Sequence, residues 1–474
     1  MPSPYRLAIH WFRRDLRILD NSALHYAAKH SDAVLPVYIL SDWSKKHLWT
    51  GSKRQDFLCK SLESLAKNLE TIDGKLVIRA GAADEALETL VKESGADAIF
   101  FNRDPDPFGR AMEEKVEKMA RKHGIACEGF HDVTLHGPAE ALTGEGKPYR
   151  VFTPYSKTWF ALPKPEPLPK PGKLNSPGTI SSRGLPDLSH WKLAEKDDAD
   201  IIEAGERAAL GRLKKACGGI LQDYQSKRDS PGDSGTSRLS QDLRFGLLSP
   251  RTIFAKAKQV RGEARSAKAK DGIDTFLKEL AWREFYMAIL WHFPNVLEEE
   301  FNPEWRGLWW AEPDERFEAW KEGRTGFPLV DAGMRELVRT GHMHNRLRMI
   351  TAMFLTKDLH IDWRLGEQFF LQHLVDGEIA SNNGGWQWSA GTGADAAPYF
   401  RIQNPWSQAK QHDPDGIYTK KWVPELKEVP AKLLLEPPKD GKPIAKDYPL
   451  PCVNHHEERD RTLEIFKRHK EKRR

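Results

Sequence analysis

The most constraining feature of this sequence is a regular alternation of apolar runs and amphipathic segments in its first part. The amphipathic segments Arg54–Leu69 and Ala83–Glu93 carry apolar residues at helical spacing. Continuous apolar runs between such helices are typical of buried parallel strands. We therefore predict a doubly wound parallel α/β sheet, with strands in Leu7–Phe12, Val34–Leu40, Lys75–Ala80 and Ala98–Asn102.

A proline-rich stretch, LPKPEPLPKPGKLNSPGTISSRGLP, follows at residues 162–186. Proline alternating with Lys or Glu fits neither a helix nor a strand interior, so we predict an extended linker on the surface. Strand patterns almost vanish after Leu193. We predict an α/β domain at 1–135, a linker at 136–198 and an all-α domain at 199–474, with helices in Ala199–Tyr224, Arg251–Val260, Asp274–His292, Pro328–Leu359 and Leu365–Leu374.

The composition restricts the setting of the chain. Lys and Arg exceed Asp and Glu by only five, 73 against 68, which excludes a histone-like polycation. No apolar run approaches the roughly 20 residues of a membrane helix, and the first residues lack the pattern of a secretory leader. Four widely spaced cysteines argue against a zinc site or a disulfide framework. We expect a cytoplasmic protein with no membrane partner and no metal.

Tryptophan is unusually frequent, at 16 of 474 residues, and 11 of these lie between Trp282 and Trp422. Ordinary cores are built mainly from Leu, Ile and Val. The excess therefore indicates a use for the indole ring in the second half of the chain, which composition alone does not assign.

The segment GTSRLS at 235–240 places a glycine, three hydroxyls and a guanidinium just before a helical pattern. Hydroxyls and backbone N–H groups at such a place suit a phosphate or pyrophosphate. Thr and Ser are also the preferred N-caps of helices, and spacing alone favours that ordinary interpretation.

Two further helical segments carry polar side chains that need partners. In ELAWREFY, Glu279 and Arg283 are four residues apart, so an ion pair within the helix is the simplest interpretation. In GHMHNRLRMITAMFLTKD, Arg348 could pair with Asp358, and Arg346 could reach a phosphate. A solvated basic edge of a core helix explains the second segment equally well.

The strongest segment is VDGEIASNNGGWQWSAGTGADAAPYFRIQNP at residues 375–405. Two carboxylates, two amides and two indoles lie within 13 residues, and they could hold a polar heterocycle by its edge and its face. Asp-Gly-Glu in a loop is also ordinary turn chemistry. The rest of the sequence contains no Ser–His–Asp, HExxH or Walker-type pattern, so no known motif for hydrolysis is present.

Together these motifs resemble the class I-type CPD photolyases of the photolyase/cryptochrome flavoprotein family. The resemblance runs from WFRRDLRILDN near the start to WVPELKEVP near residue 430, and it includes GTSRLS, ELAWREFY, TGHMHNRLRM, DWRLGEQFF and NNGGWQWSAGTGADAAPYFRIQNP. It implies an α/β domain, a long linker and a helical domain that holds FAD in a U-shape. That architecture agrees with the one predicted from periodicity.

The resemblance implies which residues would hold FAD. Its phosphates and ribityl chain would contact Tyr224, Thr236, Ser237, Arg238, Leu239 and Ser240. The rest of the cofactor would be surrounded by Glu279, Arg283, Asn345, Arg348, Asp376, Glu378 and Asn382, with Asn382 beside the flavin N5.

The implied reaction is electron transfer from excited FADH⁻ to a cyclobutane pyrimidine dimer in DNA, splitting of the ring and return of the electron. The dimer must leave the duplex, and flat indoles can stack on its pyrimidine faces. The implied catalytic pocket adds Glu279, Asn345, Met349, Trp282 and Trp388 to Asn382. The segment MHNRLRM lacks the pocket histidines that the resemblance associates with the (6-4) branch, which favours this specificity. No protein partner is implied, and we expect a monomer.

Three further tryptophans, Trp386, Trp363 and Trp310, match the triad that carries electrons from the surface to oxidised flavin. Trp310 follows Trp309 directly, so the match could be shifted by one residue. Core packing alone would also explain Trp363 or Trp310.

Arg228, Arg346 and Arg401 match positions that contact DNA phosphates, which would set orientation and salt dependence. A second, light-collecting chromophore is also implied. Residues 102–110 resemble the deazaflavin-binding branch more than the methenyltetrahydrofolate branch, with Arg54 and Asp104 as contacts. An empty antenna pocket is the alternative.

Two other functions fit the same fold. A cryptochrome-like photoreceptor without repair activity commonly adds a long C-terminal extension, whereas this sequence ends about 50 residues after WVPEL. A nucleotide- or DNA-binding module without photochemistry would need a vestigial FAD site, which the intact GTSRLS and NNGG segments oppose. Repair is the favoured function.

Overall fold

The structure is a computed structural model that describes residues 3–43, 47–193, 200–439 and 441–473. Its N-terminal part contains five strands, β1 (Tyr5–Phe12), β2 (Ser31–Leu40), β3 (Val77–Ala80), β4 (Ala98–Asn102) and β5 (Ala126–Phe130). They form a parallel sheet in the order β3-β2-β1-β4-β5. The four predicted strands are confirmed. The fifth strand, β5, was not predicted, because its sequence, ACEGF, contains no continuous apolar run.

Helices cover both faces of this sheet, because alternate strand residues point to opposite sides. Ala8 and Phe12 of β1 pack into the core beneath the first two helices. Ile9 and Trp11 pack into a separate core beneath the next two. The doubly wound α/β prediction is therefore confirmed, and the helices are α1 (Ser22–His30), α2 (Ser52–Glu70), α3 (Ala83–Ser94) and α4 (Pro107–His123).

The proline-rich stretch is extended, as predicted, and it follows the open edge of the sheet beside β3. The Leu174 N–H donates to the Ile72 carbonyl, and the Leu174 carbonyl accepts from the Val34 N–H, both at 2.8 Å. Further along, the Arg183 N–H donates to the Ile78 carbonyl of β3 at 3.1 Å. The linker thus covers the edge strand and is anchored by Leu174, which is 1% exposed.

Beyond residue 200 the described chain forms helices and no strand, as predicted. The segment predicted at Ala199–Tyr224 contains two helices, and its first residue and the predicted 198/199 boundary lie outside the described residues. The segment predicted at Pro328–Leu359 is interrupted, because Gly341 at φ 69° ends its first helix. No described helix is both long and apolar enough to span a membrane.

The remaining helices are α5 (Phe152–Ala161), α6 (Glu206–Lys215), α7 (Leu221–Lys227), α8 (Ser240–Phe245), α9 (Pro250–Glu263), α10 (Ala267–His292), α11 (Glu315–Glu322), α12 (Pro328–Thr340), α13 (Asn345–Met353), α14 (Trp363–His373), α15 (Ile379–Ala390), α16 (Pro405–His412), α17 (Ile417–Trp422) and α18 (His455–Lys472).

The carboxyl ends of β1 and β4 dock directly onto the helical part. Arg14, just after β1, donates to Asp104 Oδ1 at 2.8 Å and also pairs with Glu378, the residue before α15. Nearby, the rings of Phe57 and Phe245 contact each other with centroids 5.0 Å apart. A continuous core and a buried ion pair therefore join the two parts of the chain.

Candidate active site

One cavity of about 500 Å³ in the helical part is lined by most of the residues that the sequence singled out. Its size and its mixture of apolar walls with a few polar groups are typical of sites for small molecules and cofactors. The predicted cofactor and pocket residues line it without exception: Tyr224, Thr236, Ser237, Arg238, Leu239, Ser240, Glu279, Trp282, Arg283, Asn345, Arg348, Met349, Asp376, Glu378, Asn382 and Trp388.

The segment GTSRLS forms a polar wall of this cavity. Helix α8 begins at Ser240, and Leu239 before it offers no side-chain cap, so the ordinary N-cap interpretation of the Thr and Ser hydroxyls is wrong. Arg238 has a φ of 54°, and its Nε is buried with no hydrogen-bond partner among the described residues. A buried guanidinium N–H beside hydroxyls favours an anionic ligand.

The carboxylate of Asp376 lines the same cavity and is paired with Arg348. One Arg348 nitrogen donates to both Asp376 oxygens, at 3.1 and 2.8 Å. Burial on its own would raise the pKa of Asp376, but the charges of Arg348 and His342, together with hydrogen bonds from Arg348 and Ser240, lower that pKa to about 2. The expected Arg348–Asp358 pair is wrong, because Asp358 instead contacts His455 at 2.6 Å beneath α18.

The amide of Asn382 is oriented by the backbone. Its Nδ2 donates to the Glu367 carbonyl of α14 at 3.1 Å, which leaves the Oδ1 acceptor for the cavity that Asn382 lines. The next residue, Asn383, points away from the cavity and donates to the Val296 carbonyl at 3.0 Å. Asn382 therefore contributes to the cavity wall, whereas Asn383 links α15 to the segment of Val296.

Glu279 is paired across the fold and not along its own helix. Its Oε1 accepts from Arg228 at 2.5 Å, whereas Arg283 donates to the Val133 carbonyl at 2.7 Å. The expected Glu279–Arg283 pair is therefore wrong. Burial raises the pKa of Glu279 above its usual range, although the charge of Arg228 opposes the rise.

An aromatic platform lies beside Glu279. The Trp282 ring stacks on Phe152 of α5 with centroids 3.6 Å apart and planes 7° apart. It also lies 5.7 Å from the Tyr286 ring on the same helix. Asn345 and Met349, one turn apart on α13, lie in the same cavity wall. The stacked rings thus give the cavity a flat aromatic surface beside Glu279.

The three arginines predicted to contact DNA lie in different settings. Arg228 lines the cavity, and Arg346 is held by Asp229 at 2.7 Å. Asp229 also lies 3.8 Å from Arg228, so one carboxylate joins the two guanidinium groups. Arg401 is exposed and does not line the cavity.

Only the first of the three predicted triad tryptophans, Trp386, lines the cavity. Its ring lies so close to α14 that a Cβ at Gly366 would be 2.1 Å from it. Trp363 begins the same helix and is fully buried. Trp310 packs against the core that contains both, whereas Trp309 is 50% exposed, which favours the unshifted match.

Both residues expected to contact an antenna chromophore are buried and paired within the protein. Arg54 donates to the carbonyls of Leu371 and Leu374 at 2.6 and 2.9 Å, which fastens α2 to the end of α14. Asp104 is held by Arg14. Neither lines the described cavity.

Some cavity residues were missed from the sequence. Arg244 lies one turn after Ser240 on α8 and donates to the Gly377 carbonyl at 2.9 Å. His342 and His344 precede the predicted Asn345 in the same motif. Arg244 could have been predicted as a cavity residue, because it lies one helical turn after the predicted Ser240. The sequence contains no such indication for the two histidines, apart from their position just before the predicted Asn345.

Comparison with known proteins assigns this fold and cavity to a family. Two family profiles match, described as DNA photolyase over residues 8–172 and as FAD binding domain of DNA photolyase over residues 276–468. The deoxyribodipyrimidine photo-lyase of Agrobacterium fabrum is 40% identical over 470 residues, which cover 96% of this chain and 96% of the relative.

Solved structures agree. A bacterial class III photolyase from Agrobacterium tumefaciens superposes with a TM-score of 0.91 at 38% identity, covering 99% of this chain and 98% of the other. A cryptochrome from Synechocystis sp. PCC6803 superposes with a TM-score of 0.89 at 31% identity, covering 98% and 100%. These matches identify the family and not the class I type. The chain therefore belongs to the photolyase/cryptochrome family and carries that family's FAD-binding domain.

Proposed function

We propose that this chain repairs cyclobutane pyrimidine dimers in DNA by light-driven electron transfer from bound FAD. The observation that carries the proposal is one cavity whose polar cradle, at Arg238 and Asn382, continues into the aromatic platform of Trp282. Relatives that bear the name deoxyribodipyrimidine photo-lyase along the whole chain support it. We infer that the chain acts on DNA as a monomer.

The cavity fits FAD on the chemistry of its walls. The unpaired Nε of Arg238 and the neighbouring hydroxyls suit the pyrophosphate. Gly385 lies within α15 with nothing within 4 Å of its would-be Cβ, so it leaves room for a flat ring. When bound and reduced, FAD supplies the electron that light transfers to the dimer. Its contacts would be Tyr224, Thr236, Ser237, Arg238, Leu239, Ser240, Glu279, Arg283, Asn345, Arg348, Asp376, Glu378 and Asn382.

Asn382 would hold the reactive edge of the cofactor. Because its Nδ2 is committed to the Glu367 carbonyl, its Oδ1 is the atom available to accept a hydrogen bond from the flavin N5–H. A neutral acceptor suits the reduced flavin, since it adds no second negative charge beside it.

The dimer would lie against Trp282 and Trp388. Trp282 is already immobilised by Phe152, so stacking a pyrimidine on it costs little further side-chain entropy. Glu279 would bind the polar edge of the pyrimidine, with Asn345 and Met349 completing the pocket. A damaged base pair is weak, which makes its extrusion easier than that of normal bases.

Arg228, Arg346 and Arg401 would contact the DNA backbone around the cavity. The link through Asp229 supports this role for the first two, because it sets their spacing before DNA arrives. Such local contacts explain how a chain with a net charge of only +5 can bind DNA.

Trp386, Trp363 and Trp310 would form a route along which electrons reach the cavity from the surface. Trp386 would be the inner end of the route because it lines the cavity, and Trp310 would be the outer end because it is only partly buried against the shared core. A bridge from Ala311 to Ile361 supports the last step, because it brings the segment of Trp310 beside the start of α14.

For a second chromophore, the sequence of residues 102–110 favours a deazaflavin type over methenyltetrahydrofolate. Because Arg54 and Asp104 are committed to partners inside the protein, such a chromophore would contact other residues. An action spectrum with a band beyond that of reduced FAD would reveal it.

The direct test is dimer splitting in irradiated DNA, measured in the light and in the dark. We expect repair only in the light, and an at least tenfold lower rate in Glu279→Gln with FAD still bound. Asp274→Asn is the matched control, since it removes one carboxylate on the same helix from a surface pair with Arg261. Bound FAD without light-dependent repair would instead support a photoreceptor function. This alternative is retained because one of the similar solved structures is a cryptochrome.

A further inference from the structure

The middle tryptophan of the proposed route has a charged partner that the first one lacks. The Trp386 Nε1 has no hydrogen-bond partner among the described residues. By contrast, the Trp363 Nε1 donates to Glu300 Oε1 at 3.3 Å. Glu300 is only 4% exposed, and Trp363 is fully buried. The contact is therefore shielded from water.

Arg364 completes this environment from the other side. Its guanidinium carbon lies 4.5 Å from the centre of the Trp363 ring, and its Nη2 donates to the same Glu300 oxygen at 3.0 Å. Its Nη1 is bound to Asp362 at 3.1 Å. One carboxylate and one guanidinium thus contact the indole, and a second carboxylate, that of Asp362, holds the guanidinium.

These charges act in opposite directions on the loss of an electron. In the proposed route, Trp363 gives one electron to oxidised Trp386 and regains one from Trp310, which is re-reduced by a soluble one-electron donor such as a thiol. No covalent bond changes, and the Nε1 proton stays in the hydrogen bond to Glu300. The transient positive charge on Trp363 is favoured by the carboxylate of Glu300, whose side chain is 5% exposed and little screened, and opposed by Arg364, which is 30% exposed and more strongly screened by water.

We propose that Glu300 is a positioning residue for photoreduction: it holds the Trp363 indole and offsets the charge of Arg364, so that Trp363 can be oxidised. The proposal rests on the electron route described under the proposed function. It assigns a role to a buried carboxylate outside the cavity that repair itself does not use.

The test follows tryptophan radicals by transient absorption after a light pulse, in protein loaded with oxidised FAD. Glu300→Gln keeps an acceptor for the indole N–H but removes the charge, and we expect it to slow electron transfer from Trp363 at least tenfold. Arg364→Gln should act in the opposite direction and prolong the radical on Trp363 at least threefold. Glu299→Gln is the matched control, because its carboxylate pairs with Arg306 on the same loop and is 49% exposed.

Glu300→Gln kinetics equal to those of Glu299→Gln would overturn the proposal. If Glu300→Gln does not fold, an unchanged radical lifetime in Arg364→Gln overturns it. Trp363→Phe distinguishes a failure of the Glu300 proposal from a failure of the electron route on which it rests. If electron transfer beyond Trp386 persists in this variant, Trp363 is not part of the route. In the dark holoprotein, a shift of the indole N–H Raman band in Glu300→Ala, located by comparison with Trp363→Phe, would support the contact, and no shift would contradict it.

Discussion

Glu367 is a carboxyl group buried directly behind the wall that Asn382 forms. Burial raises the pKa of Glu367 to about 8, although a hydrogen bond from Asn383 at 3.1 Å opposes the rise. The group is therefore mostly protonated near neutral pH. It adds no charge behind the amide that its own backbone carbonyl orients.

This protonation predicts a pH-dependent cost to folding. Below the unfolded-state pKa of about 4.3, Glu367 is protonated in both states and costs nothing. As the pH rises from there to about 8, only the unfolded chain ionises, so the native protein loses about 1.4 kcal/mol per pH unit. Glu367→Gln avoids this loss and should gain about 3–4 kcal/mol over wild type between pH 5 and 8.

Urea unfolding of the two proteins at several pH values measures this gain. Glu299→Gln, which changes an exposed carboxylate, should follow the wild-type curve. A difference between wild type and Glu367→Gln that does not vary with pH would show that Glu367 ionises normally.

The residues that line the cavity were easier to predict from the sequence than the groups with which they form ion pairs. The family resemblance predicted Glu279 and Arg348 as site residues, and both line the cavity. The groups that pair with them, Arg228 and Asp376, lie 51 and 28 positions away along the chain. A local partner such as Arg283 is available in any helix, yet an exposed i,i+4 pair is weak. Buried charges pair with whichever group the tertiary fold brings close, which spacing cannot reveal.

At the scale of elements, α14 and α15 approach so closely that a single glycine decides the position of Trp386. A Cβ at Gly366 would lie 2.1 Å from the Trp386 ring and 2.6 Å from Leu355. Overpacking of this kind costs about 1–3 kcal/mol and displaces the larger group. The glycine is therefore needed for the position of the cavity-lining indole.

Gly366→Ala should lower the free energy of unfolding by up to about 2 kcal/mol, because a clash cost of about 1–3 kcal/mol is offset by a gain in helix propensity of about 1 kcal/mol. It should also alter the rate of flavin photoreduction, since Trp386 moves. Gly211→Ala is the control, because nothing lies within 4 Å of a Cβ there and helix α6 should gain stability. Equal stability changes at both sites would contradict the packing argument. Denaturant unfolding and steady-state photoreduction measure the two effects.

Elements with a strong hydrophobic pattern were predictable, and those without it were not. β1 and β4 are buried on both faces and therefore read as apolar runs. β5 is an edge strand whose sequence contains a glutamate and a glycine, and only pairing with β4 makes it a strand. The break between α12 and α13 depends on the positive φ of Gly341, which periodicity does not register.

At the scale of the molecule, Arg14 fastens the sheet to the cavity. It pairs with Asp104 on one side and with Glu378, a cavity residue, on the other. All three side chains are less than a tenth exposed. Removing one partner of a buried pair leaves the others uncompensated, which typically costs 3–5 kcal/mol.

Arg14→Gln should therefore destabilise the protein by about 3–5 kcal/mol and weaken FAD binding, because Glu378 loses its anchor. Arg103→Gln is the control: it removes a cation that pairs with Glu113 and Glu117 within the α/β part only. Thermal unfolding and FAD release on dilution measure both effects. Unchanged FAD retention in Arg14→Gln would show that the cavity does not depend on the sheet.

The proline-rich linker that runs along the edge strand β3 has a consequence for the synthesis of the chain on the ribosome. The strands of the sheet are all translated by residue 130, but the partner of Ile78, Arg183, is made 53 residues later. During that interval the nascent chain presents an unpaired strand edge, which is a template for association with other chains. Ribosome-bound chains that stop before residue 183 should therefore need a chaperone more than longer ones do.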